Sequence, residues 1–264
     1  MAVGNAALNE LLSGLWSIPI DRTTIPQHML NLEQRERVSL LPWRGQCSPG
    51  LIEVLLDAYA PSRARVLDPF MGSGTALIES GRKSLEAFGV DVNPAAVHIA
   101  RTAELMNLGY CERAQVFTEA EKLLKRTLNG PLLSVLRDLA EAATRNRIIG
   151  TVVANTIMQA TGNGNDMHLV DSLWHAFHRY QRLVADLPCA DRGLVAEQGD
   201  ARRLPLTDES VDVIVTSPPY INVFNYHQNY RKAMELLGWS VFDVSRAEIG
   251  ANRKHRQNRF LTVI

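Results

Sequence analysis

The residues of this chain best placed to do chemistry stand where apolar runs stop. Asp68 closes RVLD, Asp91 closes EAFGVD, Asp200 follows GLVAEQG, and Ser217-Pro218-Pro219-Tyr220 ends the run VDVIVT. Two successive prolines remove two backbone donors and fix two φ angles, so the chain leaves its strand in one stiff, extended conformation. A carbonyl held in such a segment cannot swing away, which makes it a preorganised hydrogen-bond acceptor. Met71-Gly72-Ser73-Gly74-Thr75 follows close behind Asp68, and its glycines let a ligand approach the backbone. No Lys-Ser or Lys-Thr follows them, and Asp68 would repel a polyphosphate, so the turn suits a ligand carrying positive charge.

The elements that position these groups are legible around them. Each run is short, apolar and bounded by breakers, as a buried strand is. Leu51 to Tyr59 has the spacing of an amphipathic helix, broken at Ala60-Pro61-Ser62. Strand, Gly-rich turn, the helical ALIESGRKS and a second strand then make a βαβ unit. In an open parallel sheet the ligand crevice lies beyond the C-terminal strand ends, so the three aspartates and the Ser-Pro-Pro-Tyr turn would face one site. From Pro94 to about Ala190 no strand is expected. The segments PAAVHIARTAELMNL, RAQVFTEAEKLLKRTL, PLLSVLRDLAEAATRN and DSLWHAFHRYQRLVADL carry helical spacing instead, far more than one crossover needs. The expected organisation is a helical extension over 1–40, a βαβ part over 41–110, a helical insertion over 111–190, and a segment over 191–264 with the Pro-Pro turn and a basic tail.

With 264 residues, 46% of them hydrophobic, the chain can bury one sizeable core and does not have a disordered composition. No apolar run approaches the roughly 18 to 20 residues that cross a bilayer, and MAVGNAALNELLSGLW lacks a basic stretch ahead of its apolar residues, so a cytoplasmic location is expected. Cys47, Cys111 and Cys189 are scattered and odd in number, which argues for reduced thiols. His175 and His178, three apart on one expected helix, have no third ligand in view, so no metal is expected. Basic and acidic residues balance at 28 each, so affinity for a polyanion must come from local clusters such as Arg253, Lys254, His255, Arg256 and Arg259.

LDPFMGSGT, TSPPY and LLPWRGQCSPGLIEVLL resemble the cofactor, catalytic and helix-leading motifs of the S-adenosylmethionine-dependent DNA amino-methyltransferases, which methylate the exocyclic nitrogen of cytosine or adenine. TSPPYINVFNY, RKAMELLGW and AEIGANR are similar to one subgroup of that family. The resemblance covers most of residues 40–110 and 190–255. It implies an α/β fold: a Rossmann-like class I methyltransferase sheet, here partial with about four parallel strands and a large helical insertion. It also implies S-adenosyl-L-methionine as cofactor and double-stranded DNA with a flipped base as substrate. Cytosine N4 is the first choice because Ser217 rather than Asp or Asn precedes Pro-Pro-Tyr. On this resemblance the Ser217 hydroxyl and the Pro218 carbonyl accept from the amine, Pro219 stiffens the turn, and Tyr220 offers its ring face to the base. Asp68 attracts the methionine ammonium, with Pro69, Phe70, Gly72, Ser73, Gly74 and Thr75 forming the turn around it. Asp91, with Asn93 beside it, accepts from the ribose hydroxyls, Asp200 accepts from the adenine amine, and Ala201 supplies an N–H. Arg44 and Ser48 carry over from the helix-leading motif, in which Cys47 stands at a position usually aromatic in the family.

Other readings share parts of this pattern. Adenine N6 would fit the same cradle. RNA guanine-N2 methyltransferases have a similar glycine turn but usually Asp-Pro-Pro-Tyr, and a protein glutamine methyltransferase would carry Asn at position 217. A cofactor-binding subunit without catalysis is a further alternative. Pro188-Cys189 has the look of the nucleophile pair of carbon-5 cytosine enzymes, but it precedes the third strand and is away from any strand end. The family sheet has seven strands, whereas residues 221–264 read as one helix, Asn229 to Leu237, and the basic tail. The chain is therefore expected to be one part of a split enzyme, a truncated product or a degenerate copy, with its sheet completed by a second polypeptide or by self-association.

Overall fold

The structure, a computed structural model, describes residues 25–26, 30–31, 41–127, 141, 146–162, 169–220 and 225–249. Most of the expected 1–40 extension, nearly all of PLLSVLRDLAEAATRN, residues 221–224 and the basic tail lie outside the described residues. After α1 (Pro49–Tyr59), the Pro61 break releases the chain into β1 (Arg65–Asp68), which ends at Pro69. The glycine turn leads into α2 (Thr75–Arg82), then β2 (Glu86–Asp91) and α3 (Pro94–Ala100). A 3-10 segment (Ala103–Asn107), α4 (Tyr110–Thr127), α5 (Arg147–Gly162) and α6 (Leu169–Ala185) precede β3 (Leu194–Gln198) and β4 (Val213–Ile214). A short 3-10 turn (Tyr226–Gln228), α7 (Arg231–Leu236) and α8 (Val241–Ala247) follow.

Among the described residues the four strands form one parallel sheet in the order β3-β2-β1-β4. The α/β fold is therefore as expected, with Asp68 and Asp91 at neighbouring C-terminal strand ends. The fourth strand is much shorter than VDVIV implied. Only Val213 and Ile214 pair with β1, and the ladder stops after the Val215 N–H donates to the Leu67 carbonyl at 3.0 Å.

Two apolar clusters meet at α3. Val97 and Ala100 pack with β1, β2, α1 and α2, whereas Ala95, Ala96 and Ile99 belong to a core shared with α4 to α8. The insertion thus packs against the helix that begins beside Asp91, and it reaches α7 as well. Helix α5 falls within the insertion expected to be helical, although none of the segments named for helical spacing covers it. Its residues Gly150–Gln159 are buried throughout, as in a helix packed on all sides. Polar pairs fix the insertion's orientation. Arg147 at the start of α5 donates to the buried Glu104 (Nε–Oε2 2.9 Å), to Glu197 in β3 (2.9 Å) and to the Ala196 carbonyl (2.8 Å). Tyr180 of α6 meets Thr102 at 2.9 Å and Asn155 of α5 at 3.0 Å, and burial pushes its phenol up to about 12. The fully buried Arg113 answers no carboxylate in these bonds; it donates to backbone carbonyls of Leu105 (2.7 Å), Leu187 (2.5 Å) and Pro188 (2.8 Å), where helix ends concentrate negative partial charge. None of the described helices is long and apolar enough to cross a membrane.

Gly74 explains how α2 and α3 approach. Its φ is +80°, and a Cβ there would lie 2.7 Å from the Ala100 Cα. Gly74→Ala is expected to destabilise the chain by about 2 kcal/mol or more, through both the left-handed backbone and the clash with α3. A urea unfolding midpoint unchanged by the substitution would contradict this packing role.

Candidate active site

One pocket lies over the C-terminal ends of β1 and β2, with about 880 Å³ of space open to solvent at its mouth. Asp68 forms part of its floor and is 6% exposed; its Oδ1 accepts from the Thr216 hydroxyl at 2.7 Å and from the Phe70 N–H at 3.1 Å. Burial pushes this carboxyl up to about 7, and the nearby Asp91 adds to the rise. Asp91 accepts from the Gly72 N–H at 3.1 Å and the Asn93 N–H at 2.8 Å, and burial pushes it up to about 6. Asp68, Asp91 and Glu248 all line the pocket, and among the described lining residues the one Arg or Lys is Arg44, which is exposed. Among the described residues the cavity's lining is acidic and holds no buried cation to match.

The glycine turn is held down by the helix-leading motif. Gly72 has φ +49°, and a Cβ would stand 2.9 Å from the Trp43 indole nitrogen. Gln46 donates to the Thr75 hydroxyl at 3.3 Å. Cys47, partly buried and hydrogen-bonded to Ser217, has its thiol pushed up chiefly by desolvation and further by Asp68. Trp43 is stacked on Tyr226 at 6.5 Å and on Tyr230 at 6.4 Å, and Trp43 and Tyr226 both line the pocket.

The expected site residues divide into two groups. Asp68, Pro69, Phe70, Gly72, Ser73 and Thr75 line the pocket from the first strand and turn. Asp91, Asn93, Ala201, Arg44, Ser217 and Pro219 line it from the other elements. Asn93 also caps α3 through the Ala95 N–H at 2.9 Å, and its amide donates to the Tyr226 carbonyl at 3.2 Å. Gly74, Asp200, Ser48, Pro218 and Tyr220 are placed differently. Gly74 serves the α2–α3 approach described above. The Asp200 carboxylate is held by Arg202, including Nε–Oδ1 at 2.8 Å and the Arg202 N–H at 3.0 Å, so Gly199 and Ala201 rather than its side chain face the pocket. Arg202, two residues on, is the partner that holds it away. Ser48 precedes α1 and donates to the Asn31 carbonyl at 3.2 Å. Pro218 and the half-exposed Tyr220 face a neighbouring apolar groove beside β4 and α1, which Ser217 also lines.

Sequence reasoning assigned no role to Trp43, Thr216, Tyr226 or Glu248, although all four line the pocket. Each lies inside a stretch that carried the resemblance. Only the tertiary approach of residues 42–47 and of the segment after α8 brings them in.

The family described as "RMKL-like, methyltransferase domain" matches residues 57–238, more than half of the chain, and this chain belongs to it. Residues 57–238 are thus a methyltransferase domain of that family. Among curated proteins, the chain is similar to the Type II methyltransferase M.MjaII of Methanocaldococcus jannaschii, 31% identical over 67 residues, or 24% of this chain. The match spans 13% of that relative's length. No solved structure matches.

Because Asp68 carries its proton up to about pH 7, a ligand that brings a cation to it should expel that proton. Binding of S-adenosylmethionine is expected to release protons between about pH 4 and 7, to tighten as pH rises through that range, and to release few at pH 8.5. Calorimetry in buffers of different ionisation enthalpy measures the release. Asp68→Asn should remove most of it and weaken binding by about 1–3 kcal/mol. Proton release and affinity equal to the parent chain's would exclude Asp68 as the cation's partner.

Proposed function

We propose that this chain methylates an exocyclic amine of a flipped DNA base, cytosine N4 in the first instance, using S-adenosylmethionine. The observation that carries the reading is the Thr216–Asp68 hydrogen bond at 2.7 Å, which ties the Ser-Pro-Pro-Tyr turn to the acidic floor of the pocket. The pocket residues suit the cofactor's chemistry. Asp68, buried, and Asp91, partly buried, both with raised proton affinity, suit an ammonium and hydroxyl donors. Asp68 would hold the ammonium and Asp91 the ribose hydroxyls, with the Gly199 and Ala201 backbone at the adenine end. When bound, the cofactor supplies an electrophilic sulfonium methyl group.

An exocyclic amine is a weak nucleophile because its lone pair is delocalised into the ring. Ser217 and the Pro218 carbonyl accept its hydrogens and favour a pyramidal nitrogen, and the two prolines keep that acceptor fixed. Tyr220, half exposed beside the turn, offers its ring to the base and offsets part of the few kcal/mol that unstacking costs. Adenine N6 presents the same amine to the same cradle. The similarity to a type II methyltransferase supports the choice. In the same proposal, the side of β4 that no strand among the described residues covers, where Ile214 is 60% exposed, takes a further strand from a second polypeptide or a second copy.

Ser217→Ala and Tyr220→Ala are expected to leave cofactor affinity unchanged and to lower methyl transfer to DNA by about 100-fold, with Tyr220→Phe milder than Tyr220→Ala. Labelled cofactor with DNA and RNA substrates in parallel gives the test. Label transferred to RNA guanine and not to DNA would overturn the substrate assignment.

A further inference from the structure

Glu248 is the acidic residue of the pocket that no motif-based role explains. It follows α8 and is 3% exposed. Three donors converge on its carboxylate: the Tyr226 N–H at 2.5 Å, the His227 N–H at 3.4 Å, and the buried His227 ring through Nδ1 at 2.5 Å. The Tyr226 carbonyl is held from the opposite side by Asn93 at 3.2 Å, so both backbone polar groups of this residue are fixed. Its hydroxyl accepts from the Tyr220 N–H at 3.5 Å and stands where a Cβ on Gly45 would come within 3.2 Å. Its ring is stacked on Trp43, the same indole that covers Gly72. A chain of contacts therefore runs from Glu248 through Tyr226 to the Pro-Pro turn on one side and to the glycine turn on the other.

We infer that Glu248 is a positioning residue: it clamps residues 226–227 so that Tyr226 sets the placement of the Ser217–Tyr220 turn relative to the floor of the pocket. That this turn is the reacting one rests on the function proposed above; the clamp itself rests on geometry alone. A carboxylate suits the task because, ionised, it accepts on both oxygens and can answer three donors at once. Glutamine has the same size and one acceptor oxygen. It would leave at least one of these buried donors without a partner.

The test compares Glu248→Gln, Tyr226→Phe and the double variant in the full chain. Amide exchange read by NMR is expected to quicken about tenfold at Tyr226 and His227 in Glu248→Gln, and at Tyr220 in all three variants, while β1 and β2 amides keep the parent rates. Methyl transfer to DNA is expected to fall at least about tenfold in each single variant, with cofactor affinity within about threefold of the parent's. The double variant should be no worse than the weaker single one, because both act through one contact. Unchanged Tyr220 exchange in Glu248→Gln, or losses that multiply in the double variant, would overturn the clamp. Should the parent chain transfer no methyl group to DNA while the exchange pattern appears as stated, the clamp stands and the proposed function falls.

Discussion

The arrangement depends on two carboxylates, Asp68 buried and Asp91 partly so, that no Lys or Arg among the described residues pairs with. Asp68 and Asp91 end adjacent parallel strands, and what they accept comes from neutral groups: the Thr216 hydroxyl and the backbone N–H groups of Phe70, Gly72 and Asn93. Those bonds favour the charged forms, but burial outweighs them and holds the carboxyls at about 7 and about 6. Both values lie above the 3.8 of an unperturbed carboxyl. Between about pH 4 and 7 the folded chain therefore binds more protons than the unfolded one, and these two groups make the unliganded fold less stable as pH rises. A site that is costly when empty and charged is one that a cationic ligand relieves.

The helical insertion supports that site from behind. Its helices share a core with α3, whose first turn is capped by Asn93, and with α7, which follows Tyr230. Arg147 and the Tyr180–Asn155–Thr102 group lock this block to β3 and to the end of α3.

The local parts of this architecture were readable from the sequence. RVLD and EAFGVD are short apolar runs between breakers, so their strand character and the terminal aspartates needed no tertiary information. Helix α5 was legible only as part of the helical insertion, since Gly150 to Gln159 are all buried and nothing divides an inner face from an outer one. Position 200 shows a different limit: an aspartate at a strand end is placed for a ligand, yet Arg202 two residues later captures its carboxylate. Gly74 looked like part of a ligand cradle, but the constraint it meets comes from Ala100 on another helix. Glu248 and Tyr226 are far apart in the chain and join only through the fold.

We propose that Asp68 holds a proton until a cation binds beside it. An NMR pH titration of its side-chain carboxyl carbon, with and without S-adenosylmethionine, measures this directly. The account predicts a midpoint of about 7 in the unliganded chain, falling towards the ordinary 3.8 when the ligand is bound. A midpoint near 3.8 in the unliganded chain, or one near 7 that the ligand leaves in place, would contradict it.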